Sequence, residues 1–64
     1  MRNQVAALRE KRSMTQADLA RLLDVSRQTV ISIEKGRYAP SLPLAFRIAA
    51  VFGLTIEEIF TPDE

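Results

Sequence analysis

The chain has 64 residues, of which 47% are hydrophobic, and it contains neither cysteine nor histidine. A chain of this length forms at most one domain with a small core, here expected over residues 1–64. The absence of cysteine excludes disulfides and cysteine-bound metals, and the absence of histidine removes the commonest general base, so we expect no enzyme, no metal and no cofactor.

The net charge of +1 is unevenly distributed along the chain. Residues 1–37 carry eight basic and four acidic side chains, whereas residues 38–64 carry one arginine and four acidic side chains. The basic part can face phosphates and the acidic part a partner subunit or solvent, although small domains also show such unevenness by chance. No apolar run has the length of a membrane span and none resembles a signal peptide, which favours a cytoplasmic location without membrane contact.

The first two predicted helices are defined by apolar stripes and by residues at their ends. The first is predicted over residues 3–12. The second begins at Thr15, which can form a capping box with Asp18. It ends at Asp24, because aspartate tolerates the left-handed backbone of a tight turn.

Three further helices follow. Ser26 is the expected N-cap of the third, which ends before Gly36. Ser41 caps the fourth, which ends at Gly53, and Thr55 begins a second capping box and a short fifth helix. No strand is predicted, so the pattern indicates a compact all-α, five-helix domain. The apolar stripes predict this core: Leu8, Met14, Leu19, Ala20, Leu23, Val25, Val30, Ile33, Leu44, Ile48, Ala49, Leu54 and Ile59.

Residues 16–35 predict two short helices joined by a tight turn. Small or apolar side chains at the crossing allow close packing, and they leave the opposite face of the second helix outward. That face carries Arg27, Gln28, Ile31 and Ser32. A helix that stands out from a small domain, with polar side chains at its N-terminal end, meets the physical requirement for entering a DNA major groove.

The order and spacing of several motifs resemble the Cro/C1-type (XRE) helix-turn-helix regulators over about residues 4–60. The motifs are Leu8-Arg9-Glu10, Thr15-Gln16, Leu19-Ala20, Val25-Ser26-Arg27-Gln28-Thr29, Ile33-Glu34-Lys35-Gly36 and Pro40-Ser41-Leu42. The chain is most similar to short stand-alone members without a sensor domain. The resemblance implies a lambda-repressor-like fold. Two residues depart from the family pattern, which often has glycine at Asp24 and asparagine at Ala39.

Four residues of the third predicted helix are candidates for contact with bases. Gln28 can pair with adenine N6 and N7, and Arg27 can reach either guanine or a phosphate. Ile31 either contacts thymine methyl groups or is one of the scattered apolar residues common on surfaces. Ser32 can bond a base or a phosphate through its hydroxyl.

Five residues are candidates for contact with phosphates. The resemblance implies that Gln16, at the start of the second helix, bonds the DNA backbone, and helix N-termini attract anions. Thr29 either contacts DNA or satisfies the start of its own helix. Lys35, Arg37 and Tyr38 follow the third helix and can clamp the adjacent strand, the alternative for the two cations being a solvated face.

Arg9 and Glu34 have a different expected role. Both lie beside core stripes, and the family pairs an arginine and a glutamate at the matching positions. The resemblance therefore implies a partly buried, bidentate ion pair that links the first and third helices and fixes the angle of the third.

Residues 46–62 are the candidate dimerisation region, because they carry more apolar surface than a short core needs. The interface candidates are Phe46, Val51, Phe52, Ile56, Ile59 and Phe60. The alternative is that these residues complete the monomer core. Short members of the family also pair their two termini in a small sheet, which would join residues 1–3 to residues 61–62, although Pro62 argues against it.

The expected function is sequence-specific binding of double-stranded DNA by a homodimer, most simply as a repressor on a palindromic operator. The resemblance predicts no small-molecule ligand and a nucleoid-associated protein in the cytoplasm of a prokaryote. One alternative is an antitoxin or other interaction module that also regulates its own operon. Another is a controller of a restriction–modification operon. The operator sequence, the sign of regulation and the regulated genes do not follow from the sequence.

Overall fold

The computed structural model describes residues 1–62, and all five predicted helices are present in it. A two-stranded sheet is added at the chain ends. In chain order the elements are β1 (Arg2–Asn3), α1 (Val5–Lys11), α2 (Gln16–Leu23), α3 (Arg27–Glu34), α4 (Leu42–Phe52), α5 (Ile56–Ile59) and β2 (Phe60–Thr61). The predicted five-helix fold is confirmed, and the prediction that no strand forms is wrong.

Most helices begin at the predicted capping residues. The Thr15 hydroxyl accepts a hydrogen bond from the Asp18 N–H at 3.0 Å, and the Asp18 carboxylate accepts one from the Thr15 N–H at 2.9 Å. These bonds from Thr15 lower the pKa of the Asp18 carboxyl, which places a stable negative charge at the positive end of the α2 dipole. Ser26, Ser41 and Thr55 cap α3, α4 and α5 with their hydroxyls.

Left-handed residues follow the C-termini of α2, α3 and α4. Asp24 has φ 57°, Gly36 has φ 75° and Gly53 has φ 65°. At the end of α3 the Gly36 N–H donates to the Ile33 carbonyl at 2.9 Å and the Arg37 N–H donates to the Ser32 carbonyl at 3.0 Å. This pair of backbone hydrogen bonds is a Schellman motif, which turns the chain sharply away from the helix axis.

Two arginines satisfy helix C-termini from distant parts of the chain. Arg12 donates to the carbonyls of Val51 at 2.7 Å and Phe52 at 3.0 Å, at the end of α4, and its guanidinium carbon lies 5.2 Å from the centre of the Phe52 ring. Arg47 donates to the Leu23 carbonyl at 3.3 Å, at the end of α2. No local sequence signal predicts these contacts, because the partners are 24 to 40 residues apart.

The two chain ends meet in an antiparallel pair, with Arg2 opposite Thr61 and Asn3 opposite Phe60. The Gln4 N–H extends the contact by donating to the Ile59 carbonyl at 2.9 Å. Pro62 does not prevent the pairing because it follows the last residue of β2 and removes no N–H from the ladder.

The core lies between the five helices and contains nine of the thirteen predicted core residues. Leu8, Met14, Val25 and Leu54 are partly buried and pack against its edge, while the rest of the predicted set is buried. The fully assembled core is Val5, Leu19, Ala20, Leu23, Val30, Ile33, Leu44, Ala45, Ile48, Ala49, Phe52, Ile59 and Phe60.

Three of the six interface candidates belong to this core. Phe52, Ile59 and Phe60 are 4%, 1% and 6% exposed, so they have almost no surface left to bury against a partner. The interface assignment is therefore corrected for these three residues, which complete the monomer. Phe46 is 60% exposed, and Val51 and Ile56 are partly exposed.

The two left-handed glycines allow a matched test of the loop after α3. A Cβ added at Gly36 would lie 3.0 Å from the Met1 carbonyl oxygen, whereas one at Gly53 would meet nothing within 4 Å. Gly53→Ala should cost only the left-handed strain, about 1 kcal/mol, and Gly36→Ala about 2–4 kcal/mol, because the Met1 backbone must also move. Urea unfolding measures both free energies. Equal losses would contradict a close approach of Met1 to Gly36.

Candidate nucleic-acid interface

The α2–turn–α3 unit presents α3 at the surface of the domain. The turn begins at Asp24 in the left-handed conformation, and the Val25 N–H donates back to the Ala20 carbonyl at 3.0 Å. α3 then packs against α2 and buries Val30 and Ile33, each 1% exposed. Because these two residues define the inner face of α3, Arg27 and Gln28 at the start of the helix are directed away from the core.

The four predicted base-contact residues all retain exposed surface on α3. Arg27 and Gln28 are exposed, and Ile31 and Ser32 are partly exposed. Gln28 and Ser32 lie one turn apart on the same face, with the Gln28 amide nitrogen 3.5 Å from the Ser32 hydroxyl. The arrangement offers amide, guanidinium and hydroxyl groups, which are the groups that read base edges in the major groove.

Thr29 takes the second of its two expected roles in this structure. Its hydroxyl lies 2.9 Å from the Ser26 hydroxyl, and its N–H donates to the Ser26 hydroxyl at 3.2 Å. Thr29 therefore helps to close the start of α3. Together with Gln28, Ser32 and Tyr38, these two residues line a shallow groove along the helix.

Cationic and phenolic side chains follow α3 on the loop that its Schellman motif creates. Lys35 and Arg37 are exposed, and Tyr38 is 45% exposed. The bond from the Arg37 N–H to Ser32 fixes where this loop leaves the helix. The predicted phosphate contacts after the helix are thus brought next to the base-contact candidates.

Gln16, the predicted contact with the DNA backbone at the start of α2, has a partner within the protein. Its side-chain nitrogen donates to Glu34 Oε1 at 3.1 Å, and the residue is only partly exposed. The carboxylate of Glu34 attracts this donor because it lies where the start of α2 meets the end of α3. Gln16 therefore connects two helices in the free protein.

The ion pair between Arg9 and Glu34 is present and bidentate. Arg9 Nε donates to Glu34 Oε2 at 2.7 Å, and Arg9 Nη2 donates to Oε1 at 3.3 Å. The side chains are 12% and 7% exposed, and Arg9 Nη1 also donates to the Met14 carbonyl at 2.8 Å. The hydrogen bond to Glu34 raises the pKa of Arg9, so the guanidinium remains charged. With Gln16, the pair links α1, α2 and α3.

Asn3 has a structural role near the site that the sequence does not reveal. Its Nδ2 donates to the Ile33 carbonyl in the last turn of α3 at 2.8 Å, and its Oδ1 accepts from the Val5 N–H at 3.1 Å. The bond to Val5 is of the local kind that asparagine side chains make with a backbone N–H two residues on. The bond to Ile33 spans 30 residues and has no local signal.

Comparison with known proteins identifies the family and its fold. Residues 5–59 match the helix-turn-helix family. The chain is also 57% identical over 60 residues to an uncharacterized HTH-type transcriptional regulator of Methanocaldococcus jannaschii, which covers 94% of this chain and 91% of that protein. The chain belongs to the Cro/C1-type helix-turn-helix family. The family resemblance seen in the sequence is therefore confirmed. The members of this family are DNA-binding transcriptional regulators rather than enzymes.

Two further similarities concern longer proteins. The crystal structure of a transcriptional regulator from Listeria innocua superimposes with a TM-score of 0.80 at 25% identity, over 100% of this chain and 64% of that chain. The immunity repressor protein of Bacillus phage phi105 is 34% identical over 55 residues, which are 86% of this chain and 38% of that protein. This helix-turn-helix regulator thus corresponds to part of each of these longer proteins.

Within residues 1–62 of the regulator, no helix is both long and apolar enough to cross a membrane. In the same residues no group of three acidic, histidine or cysteine side chains could hold a metal ion.

The Arg9–Glu34 pair provides a stability test. Glu34→Gln leaves the Arg9 guanidinium without a charged partner in a nearly buried position, and we expect a loss of about 3–5 kcal/mol in the free energy of unfolding. The double variant Arg9→Met, Glu34→Leu replaces both charges with apolar groups and should recover most of that loss. Urea unfolding of the three proteins gives the comparison. A loss below about 1 kcal/mol for Glu34→Gln would show that solvent screens the pair.

Proposed function

We propose that this regulator is a repressor that binds a palindromic operator as a homodimer, acting on DNA in the prokaryotic cytoplasm. The observation that carries the proposal is the outward face of α3, where Arg27 and Gln28 are exposed at the N-terminal end of the helix. Helix-turn-helix proteins insert this end of the second helix into the major groove.

Base reading and backbone binding are assigned to different segments. Gln28 has an exposed amide that can donate to and accept from adenine, and Arg27 beside it can reach guanine or a phosphate. Lys35, Arg37 and Tyr38 follow the helix and are assigned to the phosphates. Contacts of the first kind select a sequence, whereas contacts of the second kind add affinity to every sequence.

The outer face of α4 supports a homodimer. Arg47 is the one charged residue among the eleven of α4, and Leu42 and Phe46 are 63% and 60% exposed. These two side chains lie four residues apart and therefore share a face. An apolar helix face of this kind is normally covered. We assign this face to contact with a second copy of the chain. A palindromic operator is bound by two identical subunits, and these need a self-complementary contact with each other.

The repressor assignment is supported by the similarity to the phage phi105 immunity repressor protein. The physical mechanism is steric. A dimer bound to an operator that overlaps a promoter excludes the polymerase from the same DNA, and it needs no catalytic group to do so.

Selection of bound duplexes from a random pool tests the proposed readout. Wild-type protein should select a palindrome with half-sites about one helical turn apart. Gln28→Ala should relax the preference at one or two positions per half-site, a change of about 1–3 kcal/mol, because one bidentate contact is lost.

Arg37→Ala is the matched control for the same selection. It should weaken binding to all duplexes alike and lower the slope of log K against log salt by about one unit. An unchanged base preference in Gln28→Ala would refute the assignment of Gln28. The absence of any preference in the wild type would refute sequence-specific binding.

The dimer surface can be tested with two exposed apolar residues of equal exposure. Phe46→Glu places a charge on the outer face of α4 and should shift the protein from dimer to monomer. Leu22→Glu, at a residue on α2 that is 61% exposed, should leave the dimer intact. Sedimentation equilibrium gives both masses. If Phe46→Glu remains dimeric, or if the wild type is monomeric even at high concentration, the proposed surface is wrong.

A further inference from the structure

β1 is attached to both the C-terminal end of the fold and the end of α3. Asn3 pairs with Phe60 of β2, and the adjacent Gln4 N–H bonds the Ile59 carbonyl. On its other side, Asn3 Nδ2 donates to the Ile33 carbonyl at 2.8 Å. This asparagine therefore joins α3 to a two-stranded sheet formed from the two ends of the described chain.

Met1, the residue just before β1, lies directly against the loop that follows α3. The Met1 nitrogen donates to the Gly36 carbonyl at 3.0 Å, and the Met1 carbonyl oxygen lies 3.0 Å from where a Gly36 Cβ would be. Asn3 Nδ2 also lies 3.4 Å from that Met1 oxygen, so its amide contacts both the helix end and the segment that packs on the loop. Lys35 and Arg37 flank Gly36 on this loop.

We propose that Asn3 is a positioning residue for DNA binding: by holding the last turn of α3, it sets where Lys35 and Arg37 meet the phosphates. This inference rests on the proposed function and deepens it. In this proposal Asn3 acts through the Ile33 carbonyl, and the phosphates are bound by Lys35 and Arg37. The Asn3 amide donates to the Ile33 carbonyl, which also accepts a hydrogen bond from the Gly36 N–H at 2.9 Å. This one carbonyl therefore anchors both the loop and β1.

The geometry separates two tasks of the Asn3 side chain. Its Oδ1 accepts from the Val5 N–H and serves the start of α1, which is a matter of stability. Its Nδ2 bonds Ile33 and serves the end of α3. Asn3→Asp retains the acceptor and removes the donor, so it acts selectively on the second task. The new carboxylate also repels the Ile33 carbonyl oxygen.

The experiment compares Asn3→Asp with Gln4→Glu. Gln4 is exposed and its side chain makes no capping bond, so Gln4→Glu adds the same charge one residue away and leaves the Asn3 amide in place. Binding to a short duplex of random sequence is titrated between about 50 and 200 mM salt, at a temperature where all proteins are folded. Random duplex is the suitable probe because it isolates the phosphate contacts.

Asn3→Asp should bind about three- to tenfold more weakly than Gln4→Glu, with a salt slope lower by about one unit, because a phosphate contact is lost. Amide hydrogen exchange at Gly36 and Arg37 should quicken in Asn3→Asp relative to that at Val30, which reports the core of α3. A loss of stability alone would change neither the slope nor this ratio.

The remaining outcomes each decide the question. If the wild type binds random duplex and Asn3→Asp matches Gln4→Glu in affinity and slope, the inference is refuted while the proposed function stands. If the wild type binds no duplex even at low salt, the proposed function is refuted and the inference with it. Unchanged exchange at Gly36 and Arg37 in Asn3→Asp would also refute the positioning role.

Discussion

The Arg9–Glu34 ion pair is the constraint on which the placement of α3 depends. Apolar burial holds the helices together, but it has no direction and permits small rotations of one helix against another. A bidentate guanidinium–carboxylate contact has a fixed geometry, and a partner missing from a nearly buried pair costs several kcal/mol. Since Gln16 also bonds Glu34, the carboxylate of α3 is held from both α1 and α2. The angle of α3 is therefore set by polar contacts at its C-terminal end.

A second constraint comes from the shortness of the helices. The longest has 11 residues and the shortest has 4, so a large share of the backbone groups lie in first or last turns without partners inside the helix. The N-termini of α2, α3, α4 and α5 are closed locally by Ser or Thr hydroxyls. C-termini are closed in addition by side chains from other elements: Arg12 serves α4, Arg47 serves α2 and Asn3 serves α3. Each of these bonds also ties two elements together, which helps a fold with a small core.

This division explains what the sequence could and could not predict. Caps such as Thr15 and left-handed turns such as Asp24 are local, and the helices they delimit are found where expected. The bond from Asn3 to Ile33 and the bonds of Arg12 join residues far apart in the chain, so no local signal reveals them. The assignment of Phe52 to the dimer interface is wrong for another reason. Because α4 is apolar on nearly all sides, the spacing of its apolar residues does not distinguish its inner face from its outer face. The ion pair followed from the family resemblance, whereas the role of Gln16 within it did not.

The proposed dimer and the proposed base contacts of α3 are both needed to supply enough free energy to discriminate between DNA sequences. One good bidentate contact between a side chain and a base discriminates by about 1–3 kcal/mol. Arg27 and Gln28 of one α3 would together supply about 2–6 kcal/mol, whereas specific sites are usually separated from other DNA by about 4–10 kcal/mol. A net charge of only +1 supplies little general attraction to make up the affinity. Two copies double both the base contacts and the phosphate contacts. An exposed apolar face on α4 and an outward polar face on α3 are therefore expected together in a regulator of this size.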